Sequence, residues 1–321
     1  MTFRYPTTHS SPFFGVPLLY LSVCFLVNYF TGVLDYESIT GQRSQRDFNT
    51  AIGLPLFTTF FWITLRVQQQ HVARIIMRYL TDNNVLSHFS MHRRRLAEKL
   101  IVHTYVAAIA GIFVTLVYII SEDLLVSGLS VKMAALYVMA FSFWFFFWLF
   151  MFQSLSTTHY LISHFTRPRA TTSRELVGIR RVLILATENI LFVLAAMAIS
   201  PVFWFNISVP AIDACTLTFF ASVMLIYLAY PVFKLHRAIR KRKEEILNSL
   251  IDALRFKYGT CSDAHGAKRL EITELEREIE AVEAVTPTYW GSFQFSKVMG
   301  VILLVPGSWL LIHHLQLLVF H

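Results

Sequence analysis

The sequence predicts an all-α fold: a polytopic bundle of about seven transmembrane helices that carries a cytoplasmic antiparallel helical hairpin. Of its 321 residues, 55% are hydrophobic and only 15% are charged, whereas soluble domains usually contain about 25% charged residues. Long apolar runs alternate with basic segments along the chain. A charged segment of helical periodicity, residues 234–295, separates two of the apolar runs.

The apolar runs are interpreted as membrane spans. The first follows Arg4, is too long for the core of a signal peptide and lacks a small-residue cleavage site, so we expect it to be retained. The second is short, and we expect its helix to continue beyond the membrane. The predicted spans are residues 13–30, 51–65, 101–120, 131–152, 182–205, 211–233 and 298–320.

These spans divide the chain into three parts. Residues 1–233 are predicted to form a transmembrane bundle of six spans with basic cytoplasmic loops, residues 234–295 the hairpin, and residues 296–321 the final transmembrane helix. The first arm of the hairpin is basic and the second is acidic, and apolar residues recur at helical spacing in both. Residues 258–266 between the arms are rich in turn formers.

The basic segments determine the predicted orientation. The chain has 28 Lys and Arg against 20 Asp and Glu, and the excess lies in residues 66–99, 155–181 and 234–295. Pairs of spans separate these segments, so they share one side, which the positive-inside rule makes the cytoplasm. The N-terminus and the hairpin are then cytoplasmic and the C-terminus is external. In the alternative, residues 298–320 are re-entrant and the chain has six spans.

One basic segment contains an amphipathic pattern. From Val72 to Leu80, apolar residues recur at the spacing of a helix, and residues 81–84 interrupt the pattern. Such a helix either lies on the membrane interface or packs against the hairpin or a neighbouring subunit.

Two short motifs flank the charged segment. The span before it ends in a Pro-hydrophobic-x-x-x-His pattern, formed by Pro231, Val232 and His236, and the last span carries L-L-x-P-x-S-W-L in residues 303–310. In these motifs, over roughly residues 230–312, the chain resembles a group of poorly characterised bacterial multi-pass inner-membrane proteins. The resemblance implies a location in the bacterial inner membrane and no particular activity.

Glu188 is the strongest candidate for a functional residue. It lies six residues into the fifth predicted span, beside Asn189, and ionisable groups at membrane depth usually face a bundle interior or a water-filled cavity. In a symmetric oligomer, a ring of Glu188 carboxylates would favour cations. Alternatively, Glu188 pairs with Arg180 or Arg181, or extends to the membrane interface.

Asn189 and two histidines are predicted to line the ion pathway with Glu188, and two prolines are predicted to be hinges. His103 and His159 lie near the ends of neighbouring spans, where either would form a proton relay or pH sensor with Glu188. In the alternative, each is a histidine at the membrane interface whose hydrogen bonds are satisfied there. Pro201 and Pro306 are candidate hinges, because proline removes an intrahelical hydrogen bond.

Two basic clusters are predicted to face the cytoplasm. They would bind anionic lipid head groups, a nucleotide or an oligonucleotide, or they would serve membrane topology alone. Their residues are Arg93, Arg94, Arg95, Arg240, Lys241, Arg242 and Lys243.

Three function classes fit this sequence. No P-loop, kinase, GxSxG or HExxH pattern occurs and the three cysteines are scattered, so we expect no catalytic site, metal or cofactor. The first class is an oligomeric channel or membrane-perturbing effector, gated by a cytoplasmic anionic ligand or protein partner. The second is a scaffold whose hairpin recruits a soluble partner. The third is a secondary transporter, although such proteins usually show an internal repeat and none is evident here.

Overall fold

The computed structural model is all-helical over the residues it describes. These are residues 14–35, 39, 41–121, 130–165, 173–259, 266–285, 299–300, 303–312 and 314. The α-helices are α1 (Gly15–Phe30), α2 (Gln42–Asp82), α3 (Phe89–Ser121), α4 (Val131–Phe165), α5 (Ser173–Ile199), α6 (Ala211–Gly259), α7 (Gly266–Ala284) and α8 (Leu303–Ile312). Short 3-10 helices occupy Leu86–His88 and Ser200–Trp204.

Five of these helices, α2 to α6, are long and apolar enough to cross a membrane, as expected for a polytopic helical membrane protein. Helix α1 is apolar but has 16 residues, about 24 Å at 1.5 Å per residue, against a hydrocarbon core of about 30 Å. Helix α8 is also apolar, and the residues after 314 lie outside the described part of the chain.

Several helices are longer than any membrane requires. Helix α2 has 41 residues and α6 has 49, which corresponds to about 61 and 74 Å. The segments 66–99 and 155–181, predicted as basic loops, are therefore largely continuations of helices. The predicted domain boundary at residue 233 falls inside α6, which continues through it without a break.

Helix α2 is the central element of the bundle, in contact with α1, α3, α4 and α5. It runs antiparallel to α5: Asp82 pairs with Arg181 at one end, and Gly53 lies against Phe203 at the other. A Cβ atom on Gly53 would stand 2.6 Å from Cε1 of Phe203. Glycine is therefore required for this close approach.

A buried apolar core lies where the helices extend beyond the predicted spans. The amphipathic residues Val72, Ile76 and Leu80 of α2 are buried there, and this part of α2 packs into the bundle instead of lying on its surface. Their partners come from α4, α5 and α6 and include Leu161, Ile179, Val182, Leu235 and Ile239.

Helix α7 packs against the last part of α6 and the start of α5. Lys257 forms an ion pair with Glu271, and the Lys243 ammonium donates to the carbonyl oxygens of Glu283 and Val285 at 2.6 and 3.0 Å. The order of these contacts is antiparallel. Val285 also joins a small apolar cluster with residues of α5 and α6.

Helix α8 contacts the opposite end of the bundle. The ring of Trp309 stacks on Trp204, with ring centroids 5.9 Å apart and an interplanar angle of 21°. Trp204 follows α5, whereas Val285 packs against Leu176 near the beginning of α5. Residues 285 and 309 are therefore separated by the length of that helix.

A buried hydrogen bond compensates for the proline inside α2. Pro55 has no N–H to donate to the carbonyl oxygen of Ala51, four residues earlier. The Asn28 side chain, which is fully buried in α1, donates to that oxygen at 2.7 Å. An asparagine on a neighbouring helix thus satisfies a backbone acceptor that lipid could not satisfy.

We predict that Asn28→Leu lowers the free energy of unfolding by about 1–3 kcal/mol, because it leaves a buried carbonyl oxygen without a donor. Pro55→Ala restores the N–H within α2, so the same Asn28→Leu change should cost much less in that background. Unfolding of the purified protein in detergent measures both effects. An equal cost in the two backgrounds would contradict this role for Asn28.

Candidate functional site

Glu188 pairs with a histidine that the sequence analysis did not single out. Its Oε2 atom lies 2.7 Å from Nδ1 of His71 on α2, and each side chain is 27% exposed. Arg181, expected as an alternative partner, instead donates from Nη1 to Oδ2 of Asp82 at 2.9 Å. His71 lies beyond the second predicted span, so only the continuation of α2 as helix brings it to Glu188.

Asn189, the next residue, lies at the centre of a buried polar ladder across three helices. Nε2 of Gln68 on α2 donates to Oδ1 of Asn189 at 3.2 Å, and Nδ2 of Asn189 donates to Oγ1 of Thr158 on α4 at 3.2 Å. All three side chains are 2% exposed or less. Gln68 Oε1 and the buried Ser154 Oγ have no hydrogen-bond partner within the described structure.

The two histidines predicted near Glu188 lie elsewhere. Nδ1 of His103 accepts a hydrogen bond of 3.1 Å from Nε2 of Gln153, which joins α3 to α4. His159 is exposed on α4. The structure therefore brings Glu188 together with His71 and places Asn189 in the ladder, while His103 and His159 occupy separate positions.

An aromatic cluster lies next to the ladder along α2. Its rings are Phe57 and Phe61 of α2 and Phe143, Phe147 and Phe150 of α4. Phe61 touches Phe150 and Phe147 with centroid separations of 5.4 and 5.6 Å, and Phe57 touches Phe143 at 5.7 Å. Phe61 precedes Gln68 by about 10 Å along the helix.

On the far side of the aromatic cluster are two adjoining pockets, here called the outer vestibule. One has a volume of about 250 Å³ and is lined by charged side chains that include Arg43, Asp47 and Asp213. The other has a volume of about 390 Å³ and is lined mainly by apolar residues, including Phe61 and Phe147. The aromatic cluster thus forms the inner wall of the vestibule.

A third pocket, the basic pocket, surrounds the His71–Glu188 pair. Its volume is about 200 Å³. Its lining residues come from α2 and α5 only and are His71, Arg74, Ile75, Arg78, Arg181, Ile184, Leu185 and Glu188.

Four residues of the predicted basic clusters contact other groups of the protein. Arg94 pairs with Glu98 at 2.9 Å, and Arg240 pairs with Glu244 at 3.3 Å, each one turn along its own helix. Lys241 lies 3.9 Å from Glu245, and Lys243 binds the carbonyl oxygens at the end of α7. None of these side chains lines the vestibule or the basic pocket.

The two candidate hinge prolines occupy different positions in their helices. Pro201 is buried in the 3-10 helix that follows α5, so it lies where the α-helix ends and not within it. Pro306 is exposed within α8. Prolines also occur inside α2 and α6, at Pro55 and Pro231.

Comparisons with known proteins give no assignment: no family model, curated protein or solved structure matches this chain. The described residues contain no group of three or more His, Cys, Asp or Glu side chains placed to hold a metal ion. The functional inference therefore depends on the site geometry.

We predict that Gln68 and Asn189 are energetically coupled. A double-mutant cycle with Gln68→Leu and Asn189→Leu should give a coupling free energy of about 0.6 kcal/mol, and at most about 1.7 kcal/mol, the range for hydrogen bonds between membrane helices. The cycle is measured by unfolding in detergent. Strict additivity of the two substitutions would show that the hydrogen bond contributes nothing.

Proposed function

We propose that the protein is a channel-type membrane protein whose conduction path runs within each subunit, along α2 and between α4 and α5. The supporting observation is the order of features along α2. Asp47 lines the outer vestibule, Phe61 lies in the aromatic cluster, Gln68 in the polar ladder and His71 in the basic pocket. From Asp47 to His71, α2 rises by about 36 Å, enough to cross a hydrocarbon core of about 30 Å.

In this proposal the aromatic cluster is the gate. Hydrophobic constrictions close channels because water and ions leave a narrow apolar passage. The ring of Phe61 contacts those of Phe147 and Phe150 beside the vestibule, and Phe150 is fully buried. Such packing leaves no room for a hydrated ion, so this conformation corresponds to a closed state.

The polar ladder and Glu188 provide the inner part of the path. Gln68 Oε1 and Ser154 Oγ offer buried polar atoms to a permeating ion or water. The Glu188 carboxylate is adjacent in sequence to the ladder and lines the basic pocket. A fixed carboxylate at a membrane path attracts cations, so we propose that cations are conducted.

The helical pair of α6 and α7 is the proposed site of control. Glu278 of α7 accepts a hydrogen bond of 2.9 Å from the backbone N–H of Ser173, the first residue of α5. Val282 of α7 also packs against Leu176 of α5. A ligand or partner that moves α7 would therefore act on the helix that carries Glu188 and Asn189.

The proposed topology follows the distribution of charge. The basic pocket and the antiparallel hairpin of α6 and α7 face the cytoplasm with the N-terminus, and the outer vestibule and C-terminus are external. The separation of Val285 and Trp309 supports a seventh crossing. The motifs in the last third of the chain favour the bacterial inner membrane, and we propose that the protein assembles as a homo-oligomer.

A second candidate function is a membrane scaffold that recruits a partner through the hairpin. Large apolar side chains are exposed near the turn of the α6–α7 pair: Phe256 is 73% and Leu270 is 74% exposed. Such residues favour contact with another protein or another copy of the chain.

Cation flux into liposomes that contain the purified protein tests the channel proposal. We predict that Phe147→Ala raises the flux, because it removes a ring from the gate. Glu188→Gln should lower the flux of this opened variant by about tenfold, because a fixed charge concentrates counter-ions in the path by about that factor or more.

Phe113→Ala on α3 is a matched control, since that ring is 65% exposed on the outside of the bundle. It should leave the flux unchanged. If Phe147→Ala remains folded and no variant conducts more than protein-free liposomes, the channel proposal is wrong and the scaffold is favoured.

A further inference from the structure

We propose that the basic pocket between α2 and α5 binds a phosphate group, presented by an anionic phospholipid or by a soluble phosphate. The chemistry of the ligand follows from the arginines that line the pocket and from the position of the pocket relative to the membrane. This proposal does not depend on whether the protein conducts ions.

Arg74 and Arg78 supply the positive charge for the site. They lie one turn apart on α2 and both are exposed at the pocket. No carboxylate of the described residues lies within ion-pair distance of either. Two adjacent guanidinium groups suit phosphate because each presents paired N–H donors to its oxygens.

The carboxylates near the pocket already have hydrogen-bond partners other than Arg74 and Arg78. Glu188 accepts from His71 at one end of the pocket, and Asp82 accepts from Arg181 at the other. Arg74 and Arg78 lie between His71 and Asp82 along α2, so they face the middle of this groove. The local charge without a ligand is therefore positive where an anion would sit.

The pocket lies at the depth of lipid head groups. Thr50 of α2 lines the outer vestibule, and Arg74 follows it by about 36 Å along the helix, slightly more than the thickness of the hydrocarbon core. Ile75, Ile184 and Leu185 supply the apolar part of the pocket lining. Basic pockets between membrane helices on the cytoplasmic side bind anionic head groups in this way.

The test uses the full-length protein in detergent and follows its thermal unfolding against the concentration of three probes. These are inorganic phosphate, short-chain dihexanoyl-phosphatidylglycerol and the zwitterionic dihexanoyl-phosphatidylcholine. We expect phosphatidylglycerol to raise the unfolding temperature of the wild type. Arg74→Gln/Arg78→Gln should weaken its apparent affinity at least tenfold.

Arg237→Gln/Arg255→Gln is the matched control, because it removes the same charge from two exposed positions of α6 and should leave the affinity unchanged. Arg74→Lys/Arg78→Lys keeps the charge and loses the paired donors, so it should bind with intermediate affinity.

The probes distinguish the two sources of phosphate. Stabilisation by phosphatidylglycerol without an effect of inorganic phosphate identifies the bilayer as the source, and stabilisation by inorganic phosphate identifies a soluble ligand. The proposal is overturned if neither probe stabilises the wild type or if phosphatidylcholine acts as strongly as phosphatidylglycerol. Equal weakening by the two glutamine pairs would also overturn it.

Discussion

The structure depends on how the polar groups of α2 are satisfied inside an apolar bundle. A membrane offers no water to an unpaired backbone or side-chain group, so each one needs a partner in the protein. The carbonyl group freed by Pro55 takes a donor from Asn28, and Gln68 binds Asn189 of α5, which in turn binds Thr158 of α4. These bonds fix the position of α1, α4 and α5 relative to α2.

The proposed path follows from the same arrangement. Because α2 is central, the groups along one helix face the vestibule, the aromatic cluster, the ladder and the basic pocket in turn. Conduction along this path would require the aromatic cluster to open while the residues of the polar ladder keep their positions. Contacts between α7 and the start of α5 offer a physical link from the α6–α7 pair to Glu188 and Asn189.

Composition and periodicity predicted the helical class and some helix ends, but not the helix lengths. The break predicted at residues 81–84 is confirmed: α2 ends at Asp82, and Asn84 has a φ of 58°. The hydropathy of the sequence falls near Arg66, yet helix α2 continues to Asp82. It continues because the residues after Arg66 still pack against the other helices of the bundle. The same reason explains why α6 passes through the predicted boundary at residue 233.

Membrane depth pointed to Glu188 and Asn189, whereas their partners could not be predicted. Which residue meets Glu188 depends on the register between α2 and α5, and that register is set by distant contacts such as Gly53 with Phe203. His71 and Gln68 carry no local signal beyond their polarity. The aromatic run of α4 packs against α2, and its sequence does not show which neighbouring helix it meets.

Cysteine accessibility on the two sides of the aromatic cluster tests the central claim most directly. In a background without the three native cysteines, Thr50→Cys lies in the vestibule and Thr64→Cys lies beyond the cluster. A membrane-impermeant thiol reagent applied outside should modify Thr50→Cys readily and Thr64→Cys only when Phe147→Ala is also present. If Thr64→Cys reacts at the same rate with and without Phe147→Ala, the aromatic cluster is not a gate on a path along α2.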